Sequence, residues 1–107
     1  IAWKLIKNEN ITFKTAKNIA YLDAVKIAFP LCFRKWKEGD RFTPFGMKSK
    51  KKLSNYFIDV KFSIPEKETT WLLTDKNDNI IWVVNSRTDN NFKVNSTTKT
   101  ILLLETY

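Results

Sequence analysis

Two continuous apolar segments that flank a polar turn constrain the fold of this chain more than any other feature. Residues 71–74 and 80–84 are separated by five polar residues, 75–79, a spacing typical of a β-hairpin. Both arms are apolar at consecutive positions, and strands of this kind are covered on both faces. Residues 101–104 repeat the same pattern near the C-terminus.

The length of the chain limits how those faces can be covered. With 107 residues the chain has the size of one domain with one core, and its 43% apolar and 14% aromatic content argues against intrinsic disorder. We therefore predict an α+β fold that is mostly β, a layered β-sandwich with one main helix packed on it. No apolar run approaches the ~18 residues of a membrane span, so we expect a cytoplasmic chain without membrane contact.

The helix is predicted over residues 51–60. Leu53, Tyr56, Phe57 and Val60 recur at the spacing that makes one apolar stripe on a helix, and Pro65 is expected to stop whatever precedes it. The lysines before this stripe would crowd the helix N-terminus. Helix dipole, backbone N–H groups and ammonium groups would then together form an anion site.

Turn residues and apolar alternation predict four further strands, over residues 1–6, 11–14, 18–22 and 29–36. Residues 1–17 are interpreted as lead-in strands, either within the domain or preceding it, and residues 18–107 as the domain itself. Because the chain starts with Ile1 rather than Met, we expect it to be a fragment of a longer protein.

The usage of cysteine and histidine excludes several kinds of chemistry. One Cys and no His exclude a disulfide framework, a Cys/His zinc site and a histidine-assisted nucleophile. Cys32 is predicted to be a small buried side chain, and Trp36 is predicted to pack at the core or its edge. Trp3, Trp71 and Trp82 are predicted to be core residues.

Most of the excess positive charge lies in one short segment. The net charge is +8, and the largest share falls on residues 34–52, which hold eight Lys or Arg against Glu38 and Asp40. Such a cluster repels itself, and a polyanion relieves that repulsion. Charge alone leaves three interpretations open: nucleic-acid binding, a face that keeps the protein soluble, or contact with an acidic protein or membrane surface.

Three motifs in the same region carry a family resemblance. They are Arg-Lys-Trp-Lys-Glu-Gly-Asp-Arg-Phe at residues 34–42, Pro-Phe-Gly-Met at 44–47 and Lys-Lys-Lys-Leu-Ser at 50–54. With Ile-Trp-Val at 81–83 and Phe-Lys-Val at 92–94, they resemble the C-terminal domain of tRNA(Ile)-lysidine synthetase. The resemblance begins near residue 18 and is specific because the motifs are long and in order.

The resemblance implies a function that this chain serves without catalysis. The family enzyme uses ATP to adenylate the wobble cytidine of an isoleucine tRNA and then attaches lysine, while its C-terminal domain helps to grip the acceptor stem. Its ATP loop needs paired glycines, whereas this chain has only Gly39 and Gly46. ATP is therefore implied for the catalytic domain alone, and no cofactor, metal or catalytic residue is expected here. The implied partners are the tRNA(Ile) acceptor stem and the N-terminal catalytic domain of the same protein, with a homodimer as a further option. The phenylalanyl-tRNA synthetase β chain has a related fold.

Departures from the family pattern concern turns rather than charges. Ser49 and Asn85 stand where the family usually has Gly, Asn55 where it has Asp, and Thr88 where it has Ile. Asn tolerates the left-handed backbone region better than most residues, so we expect the turn at Asn85 to be kept.

The candidate RNA-binding residues are basic side chains expected to contact phosphates: Arg34, Lys35, Lys37, Arg41, Lys48, Lys50, Lys51, Lys52 and Arg87. Salt bridges to Glu38 and Asp40 compete with this role, and a strand face could bury Arg34 in a structural pair. Arg87 could pair with Asp89 instead. Asp40 is interpreted as a turn-forming residue and Asp59 as structural.

Two functional classes follow from these residues. The first is a tRNA-binding module that holds the acceptor stem through the basic surface. The second is a structural or interaction domain that stabilises the catalytic half or a dimer, with tRNA contact incidental.

Overall fold

The structure is a computed structural model that describes residues 1–106. Its strands are β1 (Ala2–Lys7), β2 (Ile19–Asp23), β3 (Cys32–Lys35), β4 (Arg41–Phe42), β5 (Lys51–Lys52), β6 (Trp71–Thr74), β7 (Ile80–Val83), β8 (Arg87–Thr88) and β9 (Thr100–Glu105). Its α-helices are α1 (Leu53–Asp59) and α2 (Ile64–Thr69), and two short 3-10 helices span Ala24–Lys26 and Asn90–Phe92.

The strands form two sheets and one ribbon. The first sheet has the order β1-β9-β2, the second has the order β3-β6-β7-β8, and β4 pairs with β5 alone. All pairings are antiparallel. This arrangement confirms the predicted α+β, mostly β fold.

The predicted hairpin is the middle of the second sheet and is covered on both faces. Leu73 and Trp82 pack in a core cluster with residues of the first sheet, whereas Leu72 and Val83 pack in a second cluster with α1. Asp75 holds the hairpin turn, since its Oδ1 accepts the N–H groups of Asn77 and Asn79, both at 3.0 Å. The continuous apolar pattern therefore indicated the layering correctly.

The predicted strand at residues 11–14 is wrong. This segment runs without strand pairing, and β1 pairs along its whole length with β9. The segment is held by side chains instead, because Lys14 N–H donates to the Tyr21 hydroxyl at 3.1 Å and Phe13 packs edge-on against the Tyr21 ring. Since β1 completes a sheet whose centre is β9, we propose that residues 1–17 belong to the same domain as the rest.

A second helix was missed by the sequence analysis. Pro65 lies in the first turn of α2 and so helps to begin a helix rather than to stop one. The Ser63 hydroxyl caps Glu66 N–H, and the Glu66 carboxylate accepts Ser63 N–H, which is a capping box. The helix buries none of its residues, so no apolar stripe in the sequence indicates it. The predicted main helix is confirmed as α1, with Leu53, Tyr56 and Phe57 buried.

Three predictions about burial are wrong, two for side chains on edge strands and one for a side chain at the end of a central strand. Cys32 is exposed, and Trp3 and Trp71 expose 65% and 47% of their surface. Trp3 lies on β1 and Cys32 on β3, and each of these strands has a neighbour on one side only. Trp71 lies at the start of β6, opposite Lys35 of β3. Trp82 is buried, as predicted, and Trp36 packs edge-on against Phe57 at 5.3 Å between ring centroids.

Within residues 1–106, no helix is long and apolar enough to cross a membrane.

Candidate nucleic-acid interface

The β4–β5 ribbon separates the consecutive basic residues onto two faces. In its register Arg41 stands opposite Lys52, and Phe42 stands opposite Lys51. Residues directly opposite each other in an antiparallel pair share a face, and successive residues alternate between faces. One face of the ribbon therefore carries Arg41 and Lys52, both exposed, while the other carries Phe42 and Lys51.

The inner face of the ribbon is fixed to helix α1. Phe42 is buried and packs edge-on against Tyr56, with 5.0 Å between ring centroids. Lys51 is half-buried and forms a salt bridge with Asp59 at the end of α1. Lys51 therefore has a structural partner, and Asp59 has the structural role that the sequence indicated.

One of the backbone N–H groups expected to form an anion site at the helix N-terminus already has a partner. Helix α1 has seven residues, and its first N–H, that of Leu53, already donates to the Asp40 carbonyl at 2.8 Å. The cationic groups instead gather on the outer face of the ribbon and on the loop that joins its strands.

That loop is anchored at its first half and carries lysines at its second. Thr43 N–H donates to the buried Asp89 carboxylate at 2.9 Å, and Gly46 N–H donates to the Asn90 side chain at 3.1 Å. Gly46 has a φ of +89°, which only glycine adopts readily. Lys48 and Lys50 follow this anchored turn and are exposed. The loop is thus held in place while its cations face solvent.

Arg34 is surrounded by carboxylates instead of solvent. Its Nη1 and Nη2 donate to the two Asp40 oxygens at 2.9 Å each, and its Nε donates to Asp78 at 2.9 Å. The hydrogen bond to Asp40 raises the pKa of Arg34, burial opposes this, and Asp78 raises it further. This is the structural pair that the sequence analysis set against an RNA contact.

Asp40 serves both the turn and the ion pair. Burial raises the pKa of Asp40, but the hydrogen bonds from Arg34 and from Lys37 N–H outweigh burial, so this pKa lies below its usual value. The Lys37 N–H donates to Asp40 Oδ2 at 2.8 Å, which confirms the predicted turn-forming role. Gly39 completes the turn with a φ of +91°.

Arg87 contacts an aromatic ring and does not pair with Asp89. Its guanidinium lies 5.7 Å from the centroid of Tyr56. Asp89 instead accepts the backbone N–H groups of Thr43 and Asn91. The alternative Arg87–Asp89 ion pair is therefore wrong. Lys35 similarly lies over the Trp71 ring, with its Nζ 4.0 Å from the centroid.

The charge balance of the region follows from these contacts. Arg34 and Lys51 form salt bridges with carboxylates of residues 1–106. Within that same part of the chain, no salt bridge is found for the other basic residues of the segment: Lys35, Lys37, Arg41, Lys48, Lys50 and Lys52. We define the exposed members on the ribbon and its loop as the basic ribbon: Arg41, Lys48, Lys50 and Lys52.

Sequence reasoning missed three charged residues that contribute to the electrostatics of the region. Asp78 pairs with Arg34 across 44 positions of sequence, and no local pattern indicates such a contact. Lys14 and Lys17 line a cleft together with Arg87. They were overlooked because charge counting favoured the denser segment.

Among residues 1–106, no cluster of three or more Cys, Asp or Glu side chains could hold a metal ion.

The turn at Asn85 is kept, as expected from its residue type. Asn85 has a φ of +62°, in the left-handed region, where the resembling family usually has Gly. Its side chain also accepts a short hydrogen bond from the Thr106 hydroxyl. Asn85 therefore supports the turn and also adds a contact to Thr106.

Comparison with solved structures identifies the fold. The chain superposes on a structure titled "Crystal structure of TILS C-terminal domain" with a TM-score of 0.74 and 22% identity, covering 95% of this chain and 82% of the other. It also matches an N-terminal fragment of the phenylalanyl-tRNA synthetase β-subunit from Pyrococcus horikoshii. That match has a TM-score of 0.68 and 21% identity over 79% of this chain and 26% of the other. At these identities the two likenesses establish the fold.

Comparison of sequences identifies the family. The family described as the TilS substrate C-terminal domain matches residues 31–104, and the chain therefore belongs to it. The tRNA(Ile)-lysidine synthase of Parabacteroides distasonis is 54% identical over 94% of this chain, and that of Bacteroides thetaiotaomicron is 40% identical over 96%. The chain spans only 23% and 25% of the length of these two relatives.

Proposed function

We propose that this chain is the non-catalytic tRNA-binding domain of a tRNA(Ile)-lysidine synthetase, and that it grips the acceptor stem of tRNA(Ile). In this proposal the rest of the protein uses ATP to ligate lysine to the wobble cytidine in the cytoplasm. This chain contributes no catalytic residue and no cofactor. The observation that carries the proposal is the exposed Arg41–Lys52 pair, two like charges directly opposite each other on the ribbon.

Two opposed cations destabilise the free protein, and a phosphate between them relieves that cost. Like charges directly opposite in a sheet are unfavourable, whereas ammonium and guanidinium groups near a phosphate release counterions and gain free energy. Lys48 and Lys50 extend the same charge along the loop. A surface of this kind fits the phosphates of an A-form stem and would bind it largely without regard to sequence.

The candidate residues are expected to contribute unequally. The basic ribbon supplies the main phosphate contacts, and Lys35, Lys37 and Arg87 supply flanking ones. Arg34 and Lys51 contribute less, because binding would require them to share their charge with Asp40, Asp78 or Asp59.

The salt dependence of tRNA affinity tests the proposal. If five or six basic side chains meet phosphates, log K should fall against log salt with a slope of about −4 to −5. Affinity for tRNA(Ile) would be measured by fluorescence anisotropy over a range of KCl concentrations. An affinity that does not depend on salt, or no binding at low salt, would contradict the proposal.

A charge-matched pair of variants assigns the contacts to the basic ribbon. The triple variant Lys48→Ala, Lys50→Ala, Lys52→Ala should flatten the slope by about 2 to 3. The control Lys4→Ala, Lys76→Ala, Lys99→Ala removes the same charge from exposed positions outside the segment and should keep the slope. Equal flattening in both variants would mean that total charge, rather than this surface, sets the affinity.

Footprinting on full-length tRNA tests the placement on the acceptor stem. Backbone protection by the chain should fall on the acceptor stem and should weaken in the lysine triple variant. Protection confined to the anticodon loop would overturn this part of the proposal while leaving RNA binding intact.

An exposed apolar face favours a second, compatible function. Trp3, Phe29 and Phe33 expose 65%, 46% and 45% of their surface and line an apolar groove of about 410 Å³. Such a face suits packing against the catalytic domain of the same protein or against a second copy. Sedimentation of the chain alone, and of the chain mixed with a separately expressed catalytic domain, distinguishes these partners. If interaction is the main role, the catalytic domain should bind tightly and the lysine triple variant should keep its tRNA affinity.

A further inference from the structure

A second cleft, beside the basic ribbon, has walls suited to a flat anionic ligand. It encloses about 770 Å³ between the segment of residues 13–21 and the residues of β8, a size typical of small-molecule sites, which span roughly 300–1,000 Å³. Its lining includes two exposed aromatic side chains, Phe13 and Phe45, and three cationic ones, Lys14, Lys17 and Arg87. No carboxylate of residues 1–106 lines it.

Backbone and ring contacts fix both walls of this cleft. On one side, Phe13 packs edge-on against Tyr21 with 4.9 Å between ring centroids, and Lys14 N–H donates to the Tyr21 hydroxyl. On the other side, Phe45 N–H donates to the Thr88 carbonyl at 2.9 Å. Phe13 and Phe45 nevertheless expose 48% and 54% of their surface, so their rings remain accessible.

The composition of the cleft distinguishes it from the other groove of the molecule. Among the described residues, those that line the groove near Trp3 and Phe33 are all apolar. This cleft instead combines aromatic faces with cations, and no carboxylate of the described residues is in its lining. An aromatic face stacks on a base of any sequence, and nearby Lys and Arg groups attract its phosphate. A nucleotide is the ligand class that uses both features.

We propose that this cleft binds one unpaired nucleotide of the RNA that the basic ribbon holds. The base lies against Phe13 and Phe45, and its phosphate lies near Lys14, Lys17 and Arg87. The inference rests on the proposed function, and it is supported by continuity, since Phe45 belongs to the same loop as Lys48 and Lys50. Unpaired bases are the part of an RNA that can be splayed out and stacked on aromatic side chains.

Binding of two RNA hairpins tests this inference. One hairpin is blunt, and the other carries the same stem with a four-nucleotide single-stranded extension. The extension should tighten binding to the chain roughly tenfold, which is the scale of stacking one base on an aromatic ring. Phe13→Ala and Phe45→Ala should each lose most of that gain and keep the wild-type affinity for the blunt hairpin.

A matched aromatic control separates the cleft from general effects of truncation. Phe33 is exposed to a similar degree, 45%, but lines the apolar groove, so Phe33→Ala should keep the full gain. Equal loss in Phe33→Ala would overturn the assignment to the cleft. Equal affinity of wild-type protein for both hairpins would overturn the inference while leaving the proposed function standing. No binding of either hairpin at low salt would overturn both.

A titration with a free nucleotide shows whether the cleft binds a nucleotide of an RNA or a nucleotide alone. Adenosine monophosphate would be titrated into the chain, and its binding would be measured by isothermal titration calorimetry. A single nucleotide without the stem should bind at least a hundredfold more weakly than the extended hairpin. Saturation by adenosine monophosphate at the concentrations that saturate the hairpin would show a free-nucleotide site instead and would contradict the proposal.

Discussion

The two halves of the basic segment, residues 34–40 and residues 41–52, are similarly rich in cations but use them differently. In the first half, Arg34 is held by two carboxylates and Lys35 lies over Trp71. In the second half, the basic ribbon forms no salt bridge with residues 1–106, and Lys51 alone pairs, with Asp59. The difference teaches that the placement of carboxylates, rather than the density of cations, decides which cations remain available to a polyanion.

The reason lies in what each half packs against. The first half leads from an edge strand into a tight turn, and the turn brings the carboxylate of Asp40 beside Arg34. The second half is a two-stranded ribbon, whose alternation directs Phe42 and Lys51 toward α1 and leaves Arg41 and Lys52 outside. The first half is therefore expected to govern stability, and the second half to govern binding.

Loss of Arg34 gives the largest expected effect on stability. Arg34→Gln leaves Asp40, whose side chain is only 7% exposed, without its guanidinium partner. The free energy of unfolding should fall by about 2 kcal/mol, while RNA affinity changes less than threefold. Urea denaturation and anisotropy measure the two quantities. The control Arg41→Gln, at an exposed position, should change stability by no more than about 0.5 kcal/mol. An equal cost at both positions would remove the contrast between the halves.

Charge reversal in the second half should act in the opposite way. Arg41→Glu places a carboxylate opposite Lys52, so stability should rise by about 0.5 kcal/mol. RNA affinity should fall at least tenfold at low salt, because one phosphate contact is lost and a repulsive charge replaces it. Lys76→Glu makes the same charge change in the hairpin turn and should weaken binding far less. Unchanged affinity of Arg41→Glu would contradict the role of the basic ribbon.

Acidification should weaken the first half selectively. The pKa of Asp40 is lower in the folded protein than in the unfolded chain. The stability that ionised Asp40 contributes is therefore complete above the unfolded pKa of about 3.9, and it is lost as the pH falls through the folded pKa. Thermal unfolding between pH 5 and pH 2 measures this loss. It should be smaller than the cost of Arg34→Gln, since protonation removes the charge of Asp40, whereas Arg34→Gln leaves that charge buried without its partner. Asp40→Asn should show a shallower decline over that pH range, and an identical decline would show that other carboxylates cause it.

Release of Lys51 gives the smallest expected effect and sharpens the comparison within the second half. Asp59→Asn removes the salt-bridge partner of Lys51, and that partner is 52% exposed. Stability should fall by less than about 0.5 kcal/mol, and RNA affinity should rise by less than about threefold as a freed cation joins the surface. The double variant Lys51→Ala, Asp59→Asn should lose the gain in affinity. A gain that persists in the double variant would show that Lys51 is not its source.

The candidate site could be predicted in outline from the sequence but not in its division of roles. The lysine and arginine cluster was evident from counting, and the structure places the basic ribbon on an accessible face. The sequence did not show that Lys51 and Lys52 lie on opposite faces of the ribbon, because this depends on the pairing of β5 with β4. The contact of Arg34 with Asp78 was also hidden, because it depends on the pairing of β3 with β6, two strands that are far apart in the sequence.

The sequence by itself determined the central hairpin, the helix α1 and the family, because each depends on a local pattern of residue types. Apolar residues must be buried whatever their partner, so their spacing alone indicates strands and helices. Only the tertiary structure decided that β1 pairs with β9, that Trp3 and Trp71 are exposed, and which cations meet a carboxylate. These outcomes depend on which distant segments compete for the same edge or face, and that competition is settled only when the whole chain is packed.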